Sequence, residues 1–387
     1  MLRYALLLGF LTLIGPLGID MYLPAFSAIA SDFDAAEATV QLSLVSYLVA
    51  LSLGQAVYGP LADRFGRRGP LLCGLLLCLG SCVGAVFAAS IQALILLRFL
   101  QGAGACACVV IARAIARDIG EGEQVARLIA MMAIVQAVSP MLAPVLGGVL
   151  LLEFSWRGVF VVTAAMAASA TYLVVRVLGE TLPFDKRAKG LATAFARYGH
   201  LWKDRHYLLV IFAGGFASGG FFAYLSGSSF VIVTLFGFSP QEYGLFFGFN
   251  AMVMLGAAQL SSRLVRRTGE TGLIRAITLA YAASATILLV TVVAGLGAVW
   301  FFSALVSCLV CQGMIFPITV LRALGPYAHA AGAASAMLGV VQYACGAFSS
   351  AFVSGLADGT ALPMTGAMLA CAVLACGLTW VAGPDKT

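Results

Sequence analysis

Apolar residues in this chain neither alternate with polar ones nor recur only every third or fourth position. They run on for about 20 residues at a time, broken by short polar stretches rich in Gly, Pro and Arg. A helix rises 1.5 Å per residue, so a run of that length crosses the roughly 30 Å hydrocarbon core of a bilayer. Twelve runs predict twelve spanning helices, at 4–27, 38–60, 70–89, 92–116, 125–151, 158–178, 207–235, 241–262, 272–294, 297–321, 330–354 and 362–382. The longer ones imply tilt or interfacial ends. One long polar gap, 179–206, holds Lys186, Arg187, Lys189, Arg197, Lys203 and Arg205. The pattern therefore predicts an all-α membrane protein. Residues 1–178 form an N-terminal six-helix bundle, 179–206 a linker and 207–387 a second six-helix bundle.

Composition narrows this further. Of 387 residues, 62% are hydrophobic and 10% charged, against roughly 25% charged in a soluble domain. A disordered chain, a nucleic-acid-binding module and a secreted disulfide scaffold are excluded, since each needs far more polar or cysteine-framed surface. The net charge of +6 is then a matter of where the charges sit. With the N-terminus in the cytoplasm, all but two of the 22 Lys and Arg fall at cytoplasmic ends. They include Arg3, Arg64, Arg67, Arg68, Arg113, Arg117, Arg127, Arg176, the six of the gap, Arg263, Arg266, Arg267, Arg275, Arg322 and Lys386. The positive-inside rule demands this orientation, with both termini cytoplasmic. The exceptions are Arg157, beside Trp156 at an external interface, and Arg98, inside a span.

The first helix, with Arg3 and Ala28-Ile29-Ala30, mimics a signal peptide, but Asp20, Pro16 and Pro24 within it predict a retained span. The ten cysteines all lie in spans. Cys308 and Cys311 form a C-x-x-C in an apolar helix without His or Lys nearby, which suits packing rather than redox or metal chemistry. No metal site is expected.

Two charges remain deep in spans. Asp20 lies about 25 Å from the cytoplasmic end of its helix and Arg98 roughly 9 Å from the external end of its own. Both fall in the outer half of the bilayer, at depths that would allow a direct or water-mediated pair, and an ion there costs several kcal/mol unless paired or wetted. Gly15, Pro16, Gly18 and Pro24 weaken the helix around Asp20, as in broken helices that line cavities. A carboxylate whose surroundings alternate between wet and closed can bind and release a proton. Arg98 cannot deprotonate and supplies a fixed counter-charge. A static structural pair is the competing reading.

The halves look related. Gly59-Pro60-Leu61-Ala62-Asp63-Arg64-Phe65-Gly66-Arg67-Arg68 follows the second helix, and Ser261-Ser262-Arg263-Leu264-Val265-Arg266-Arg267 follows the eighth. Aligned on the double arginine, Asp63 becomes Ser262. Internal repeats of this kind are characteristic of transporters.

These segments carry a resemblance. GPLADRFGRR resembles the signature between the second and third helices of the major facilitator superfamily. Leu17–Ala25 (LGIDMYLPA), Leu96–Gly104 (LLRFLQGAG) and the run Ser139-Pro140, Ala143-Pro144, Gly147-Gly148 resemble the first-, fourth- and fifth-helix motifs of its proton-coupled drug antiporters. The subfamily most resembled is the bicyclomycin-resistance and chloramphenicol-efflux (Bcr/CflA) one. Ala143 departs from the usual Gly-Pro of the fifth-helix motif, and Thr12 stands where some relatives carry a second carboxylate. The resemblance implies proton and drug coupling at Asp20 and Arg98. It also implies a conformational latch built from Gly59, Asp63, Arg64, Gly66, Arg67 and Arg68, with Asp63 pairing a cytoplasmic arginine such as Arg117 to hold the two bundles in one state. Pro140, Pro144, Gly147 and Gly148 would mark an antiporter, although small residues and prolines also serve close helix packing.

Candidate cavity residues are Tyr22, Tyr47, Gln136, Phe216, Phe221, Tyr224, Asn250, Gln342 and Tyr343. Glycines 214, 215, 219 and 220 around the aromatics allow unwinding, while isolated amides on apolar helices often serve as interhelical hydrogen bonds instead. Aromatics with one acid suit amphipathic neutral or cationic molecules. No G-x-x-x-x-G-K-[ST], H-E-x-x-H or nucleophile elbow occurs, so neither ATP nor embedded hydrolysis is expected. The expectation is a monomeric, multi-pass antiporter of the bacterial inner membrane, without cofactor or nucleic-acid partner, exporting amphipathic compounds or antibiotics on the proton gradient. The alternative is a carrier or exporter of an endogenous metabolite or siderophore on the same fold.

Overall fold

A computed structural model describes residues 2–120, 123–190 and 199–383; of the basic positions named above, Arg197 and Lys386 lie outside the described residues. Each apolar run is helical. The first half contains α1 (Leu2–Asp20), α2 (Glu37–Phe65), α3 (Arg68–Val86), α4 (Ile91–Ile119), α5 (Glu123–Glu153) and α6 (Arg157–Val177). The second contains α7 (Arg205–Ser229), α8 (Pro240–Thr268), α9 (Glu270–Val293), α10 (Ala298–Leu324), α11 (Ala331–Gly355) and α12 (Leu362–Ala382). All twelve are long and apolar enough to cross a membrane.

The expected boundaries fail in two informative places. The first span is one apolar run, but its helix stops at Asp20, turns, and resumes through a short 3-10 turn (Leu23–Ala25) and the helix Phe26–Asp32. Pro24 has no N–H to offer the carbonyl four residues earlier, which is that of Asp20. The second helix, expected to end at Pro60, continues through the proline to Phe65. Asp63 thus stands on a helix rather than in a loop.

The same six helix pairings occur in each half. In the first, α4 packs on α1, α2 and α3, while α1 packs on α5 and α6 and α3 on α6. In the second, α10 packs on α7, α8 and α9, while α7 packs on α11 and α12 and α9 on α12. Shifting every label by six maps one set onto the other, so the repeat seen in the loop motif extends to the packing. The halves meet along two seams related in the same way, α2 on α11 and α5 on α8. In the first seam Ser52 Oγ donates to the Val340 carbonyl at 2.9 Å and Ser354 Oγ to the Ala38 carbonyl at 2.6 Å. In the second the backbones themselves touch: a side chain on Gly244 would meet the Pro144 carbonyl at 2.7 Å, and one on Gly248 the Met141 carbonyl at 2.9 Å. Leu6, Leu76, Leu96, Ile134, Leu245, Phe348 and Trp380 are exposed on the outside. Apolar surface on that scale needs a non-aqueous partner, which the bilayer supplies.

Candidate functional site

The site is organised by the break in α1. Asp20 is 5% exposed. The turn that follows is closed by the Met21 and Tyr22 amides, which donate to the carbonyls of Leu17 (3.1 Å) and Ile19 (3.2 Å). No ion pair or side-chain hydrogen bond reaches the Asp20 carboxylate from the described residues. Its electrostatic neighbours are the phenols of Tyr243 on α8 and Tyr343 on α11. Asp20 is therefore within electrostatic reach of the other half of the molecule, and Tyr243, which the sequence did not single out, is buried with its hydroxyl 2.8 Å from Ser228 Oγ.

Arg98 is fully buried and does not pair with Asp20. Its Nη1 donates to Gln101 Oε1 at 2.6 Å, and its guanidinium carbon sits 4.2 Å from the Tyr22 ring centroid and 4.3 Å from that of Tyr47. Cation–π attraction of this kind replaces hydration when the cation is desolvated. Its Nε and Nη2 have no hydrogen-bond partner. Tyr22 and Tyr47, expected in the cavity, are instead buried as the walls of this box. The Tyr22 hydroxyl lies 2.7 Å from Ser43 Oγ, and that of Tyr47 donates to the Gly15 carbonyl at 2.9 Å. The anticipated pair is thus separated: the arginine is sequestered among aromatic rings while the buried carboxylate has no ionic partner among the described residues.

The second half holds an aromatic cluster in which Tyr224 and Asn250, expected in the cavity, are buried against their neighbours. Tyr224 stacks on Phe247 (5.7 Å, 12°) and accepts a hydrogen bond from Asn250 Nδ2 at 3.2 Å, leaving Asn250 Oδ1 buried without a partner. Phe221 lies against Tyr224, and Phe222, in the same aromatic run of the seventh helix, against Tyr343. Phe216, Phe221, Gln342 and Tyr343 are half-buried. Gln136 on α5 donates to the Thr12 carbonyl of α1 at 3.4 Å, so this amide, like Asn250, joins two helices. In the fifth-helix motif, Gly147 is pressed onto the backbone of Met21, one residue beyond Asp20, and a side chain on Gly148 would meet the Pro240 carbonyl at 3.0 Å. Pro140 and Pro144 lie within the same helix without ending it. The motif therefore seats the break in α1 against the first turn of α8.

The expected latch takes a different form. Asp63 pairs with Arg67 (2.6 Å), not with Arg117, and Arg67 Nε reaches Asp118 at 2.8 Å. Gly66 turns the chain at φ +89°, a conformation that suits glycine. This places the Arg67 and Arg68 amides on the Glu180 carboxylate, at 2.7 and 3.3 Å. Arg187 stands 3.7 Å from Glu180, the Ala188 amide donates to the Asp63 carbonyl, and Arg68 Nη2 donates to the Val175 carbonyl. Burial pushes the Glu180 carboxyl up, but the amides of Arg67, Leu182 and Arg68 and the Arg187 charge outweigh it and hold the group below the ordinary glutamate value. The Arg64 guanidinium lies over Phe65, and Gly59 sits one turn earlier in α2. The network joins α2, α4 and the linker within one half. Arg117 instead donates to the Arg113 carbonyl, and a side chain on Gly332 of α11, in the other half, would meet its Nη1 at 3.0 Å. Asp118 and Glu180 read as ordinary end-of-helix charges; only the turn at Gly66 reveals their role.

The family model described as Major Facilitator Superfamily matches residues 8–350. The chain belongs to this superfamily. Over 377 residues it is 37% identical to the "Uncharacterized MFS-type transporter YdgK" of Bacillus subtilis (strain 168), covering 96% of this chain and 93% of that protein. It is 31% identical over 379 residues to the "Bicyclomycin resistance protein homolog" of Haemophilus influenzae, covering 96% and 94%. It is 30% identical over 376 residues to the "Multidrug resistance protein MdtL" of Shewanella sp. (strain ANA-3), covering 97% and 94%. These relatives agree with the Bcr/CflA-type resemblance of the motifs. Among solved structures the fold resembles the D-xylose-proton symporter (TM-score 0.76, 16% identity, 99% and 98% of the two chains). It also resembles the partially occluded inward-open xylose transporter XylE from E. coli (TM-score 0.77, 15% identity, 100% and 99%). This major facilitator protein is a multi-pass membrane transporter of small molecules, not an enzyme.

Proposed function

We propose that this transporter is a proton-coupled antiporter of the bacterial inner membrane, with both termini cytoplasmic, and that it exports small amphipathic compounds including antibiotics. The observation that carries this reading is Asp20: a buried carboxylate without an ionic partner among the described residues, at a broken helix, within electrostatic reach of Tyr243 and Tyr343 in the other half. A proton and an amphipathic cation or dipole would compete for it, so substrate arrival releases the proton. Sequestering Arg98 keeps the carboxylate free for that exchange while leaving positive charge in the same half. The distribution of basic residues supports the orientation. The names of the relatives support drug-like substrates. No cofactor is required, and the monomer contains both seams.

Driven by one proton per cycle, 100 mV contributes about 2.3 kcal/mol and one pH unit about 1.4 kcal/mol, enough to concentrate a neutral drug roughly 500-fold. The test is proton release by purified protein on addition of antibiotics, together with uptake into everted vesicles. Native protein releases protons and accumulates drug when a gradient is imposed, and Asp20→Asn does neither. Normal proton release by Asp20→Asn would falsify the assignment. Uptake of endogenous metabolites alone would leave the coupling standing and replace the substrate class.

A further inference from the structure

At the end of the molecule away from the linker lies a cavity of about 260 Å³, between α2, α7, α11 and the start of α12. One water centre needs roughly 10–15 Å³, so this volume accommodates a ligand rather than a single solvent molecule. Most of its wall is apolar, from Phe230, Val231, Val353 and Met364, while Glu37 and Gln41 contribute acceptors. Gln41 is 4% exposed and its Oε1 has no hydrogen-bond partner. Glu37 Oε1 is held by Ser27 of the first span and Thr234 beyond α7, each at 3.1 Å, while its buried Oε2 has no partner. Two unsatisfied acceptors, one anionic, in an apolar groove are costly when empty. The backbone marks the same place, since Phe230 and Val231 open a π-helical turn (Phe230–Leu235), a distortion frequent at functional sites.

The geometry points to a binding site for the protonated primary amine of an amphipathic molecule, its ammonium on Glu37 Oε2 and Gln41 Oε1 and its apolar body along Phe230, Val353 and Met364. An ammonium supplies several donors and the opposite charge, which the groove lacks. Glu37 also reaches Thr234 in the other half, so an occupant engages a carboxylate that already ties the halves together. The amine could be a soluble compound or the headgroup of phosphatidylethanolamine, which carries the same ammonium on an apolar anchor.

Dansylcadaverine, a fluorescent primary amine, tests this on the purified full-length protein by titration, in native and Asp20→Asn backgrounds. A charge-assisted hydrogen bond is worth about 1.5–3 kcal/mol, so Glu37→Gln should weaken binding at least about tenfold in both backgrounds. N-acetylation of the probe should cost the same, and Thr360→Trp at the exposed rim should block entry while leaving the acceptors in place. Unchanged affinity in both Glu37→Gln and Thr360→Trp, or equal binding of the acetylated probe, overturns the proposal. Loss of the Glu37-dependent component in Asp20→Asn also overturns it, because the amine then sits in the central site. In nanodiscs, displacement of the probe by phosphatidylethanolamine but not by phosphatidylglycerol assigns the occupant to lipid; unchanged affinity assigns it to a soluble amine.

Discussion

The two halves of this transporter pack alike and are charged differently. The second half repeats the helix pairings of the first, yet its interior carries the aromatic cluster of Phe221, Phe222, Tyr224 and Phe247 with Asn250. The first half holds Asp20 and the boxed Arg98, and its loop after α2 is bound by Asp63, Asp118 and Glu180. The corresponding end of α8 has Ser262 in place of Asp63, with its Oγ bonded back to the Ala258 carbonyl at 3.1 Å. Arg263, Arg266 and Arg267 have no carboxylate partner among the described residues. Since the second half packs in the same way without these charges, packing does not require them. On the function proposed above, proton handling would belong to the half that carries the charges and the apolar substrate contacts to the other.

The sharpest way to break that contrast is Arg98→Met. Its apolar side chain suits the box formed by Tyr22 and Tyr47, and replacing buried ions with apolar groups is often neutral for stability. The main loss is the partner of Gln101 Oε1, about 1–3 kcal/mol. Proton-driven uptake is expected to fall to background while thermal unfolding stays cooperative. Collapse of the fold in parallel with activity would make Arg98 a packing element. In the second half, Tyr224→Phe removes the hydroxyl that receives Asn250 Nδ2. Substrate affinity should drop about tenfold at most, with the number of protons released per substrate unchanged. An altered proton count would show that coupling extends into the aromatic half.

Much of this arrangement is legible from the sequence, for identifiable reasons. The spans follow from the lengths of apolar runs, and the break at Asp20 from Pro24 and the glycines before it. Depth along a helix places Asp20 and Arg98 at similar heights, but it carries no information about azimuth, and the azimuths turn them to different neighbours. Helix continuation through Pro60 depends on packing that no local propensity records. Asp118, Glu180 and Glu37 are missed because each looks like a solvated helix-end charge until a turn or a second helix is brought beside it. Tyr22 and Tyr47 are read as cavity residues because burial around a cation and burial around a drug use the same side chains.

The clamp after α2 gives a smaller, pH-dependent effect. The Glu180 carboxyl is held below its ordinary value of 4.5, so its contribution is complete above that value. It is lost as pH falls through the lower folded value. Hydrogen exchange over residues 66–70, corrected for intrinsic rates, should be slow at neutral pH in the native protein and accelerate several-fold in acid. Glu180→Gln should exchange fast at both pH values. A native-like neutral rate in Glu180→Gln would show that Asp63 and Asp118 hold the turn without it.

The smallest effect tests whether the corresponding end of α8 is inert. Ser262→Asp restores the acid of the first loop, with Arg266 four residues on, as Arg67 is from Asp63. Among the described residues no carboxylate pairs with the arginines there as Asp118 and Glu180 do in the first half, and Ser262 is exposed. The new pair is therefore an ordinary helical i,i+4 ion pair, worth about 0.3–0.5 kcal/mol, or about 1 °C in melting temperature, and it should vanish in high salt. Uptake rate and proton count should match the native protein. If instead Ser262→Asp changes uptake severalfold, charge at that helix end controls the cycle, and the asymmetry between the halves would itself be part of the mechanism.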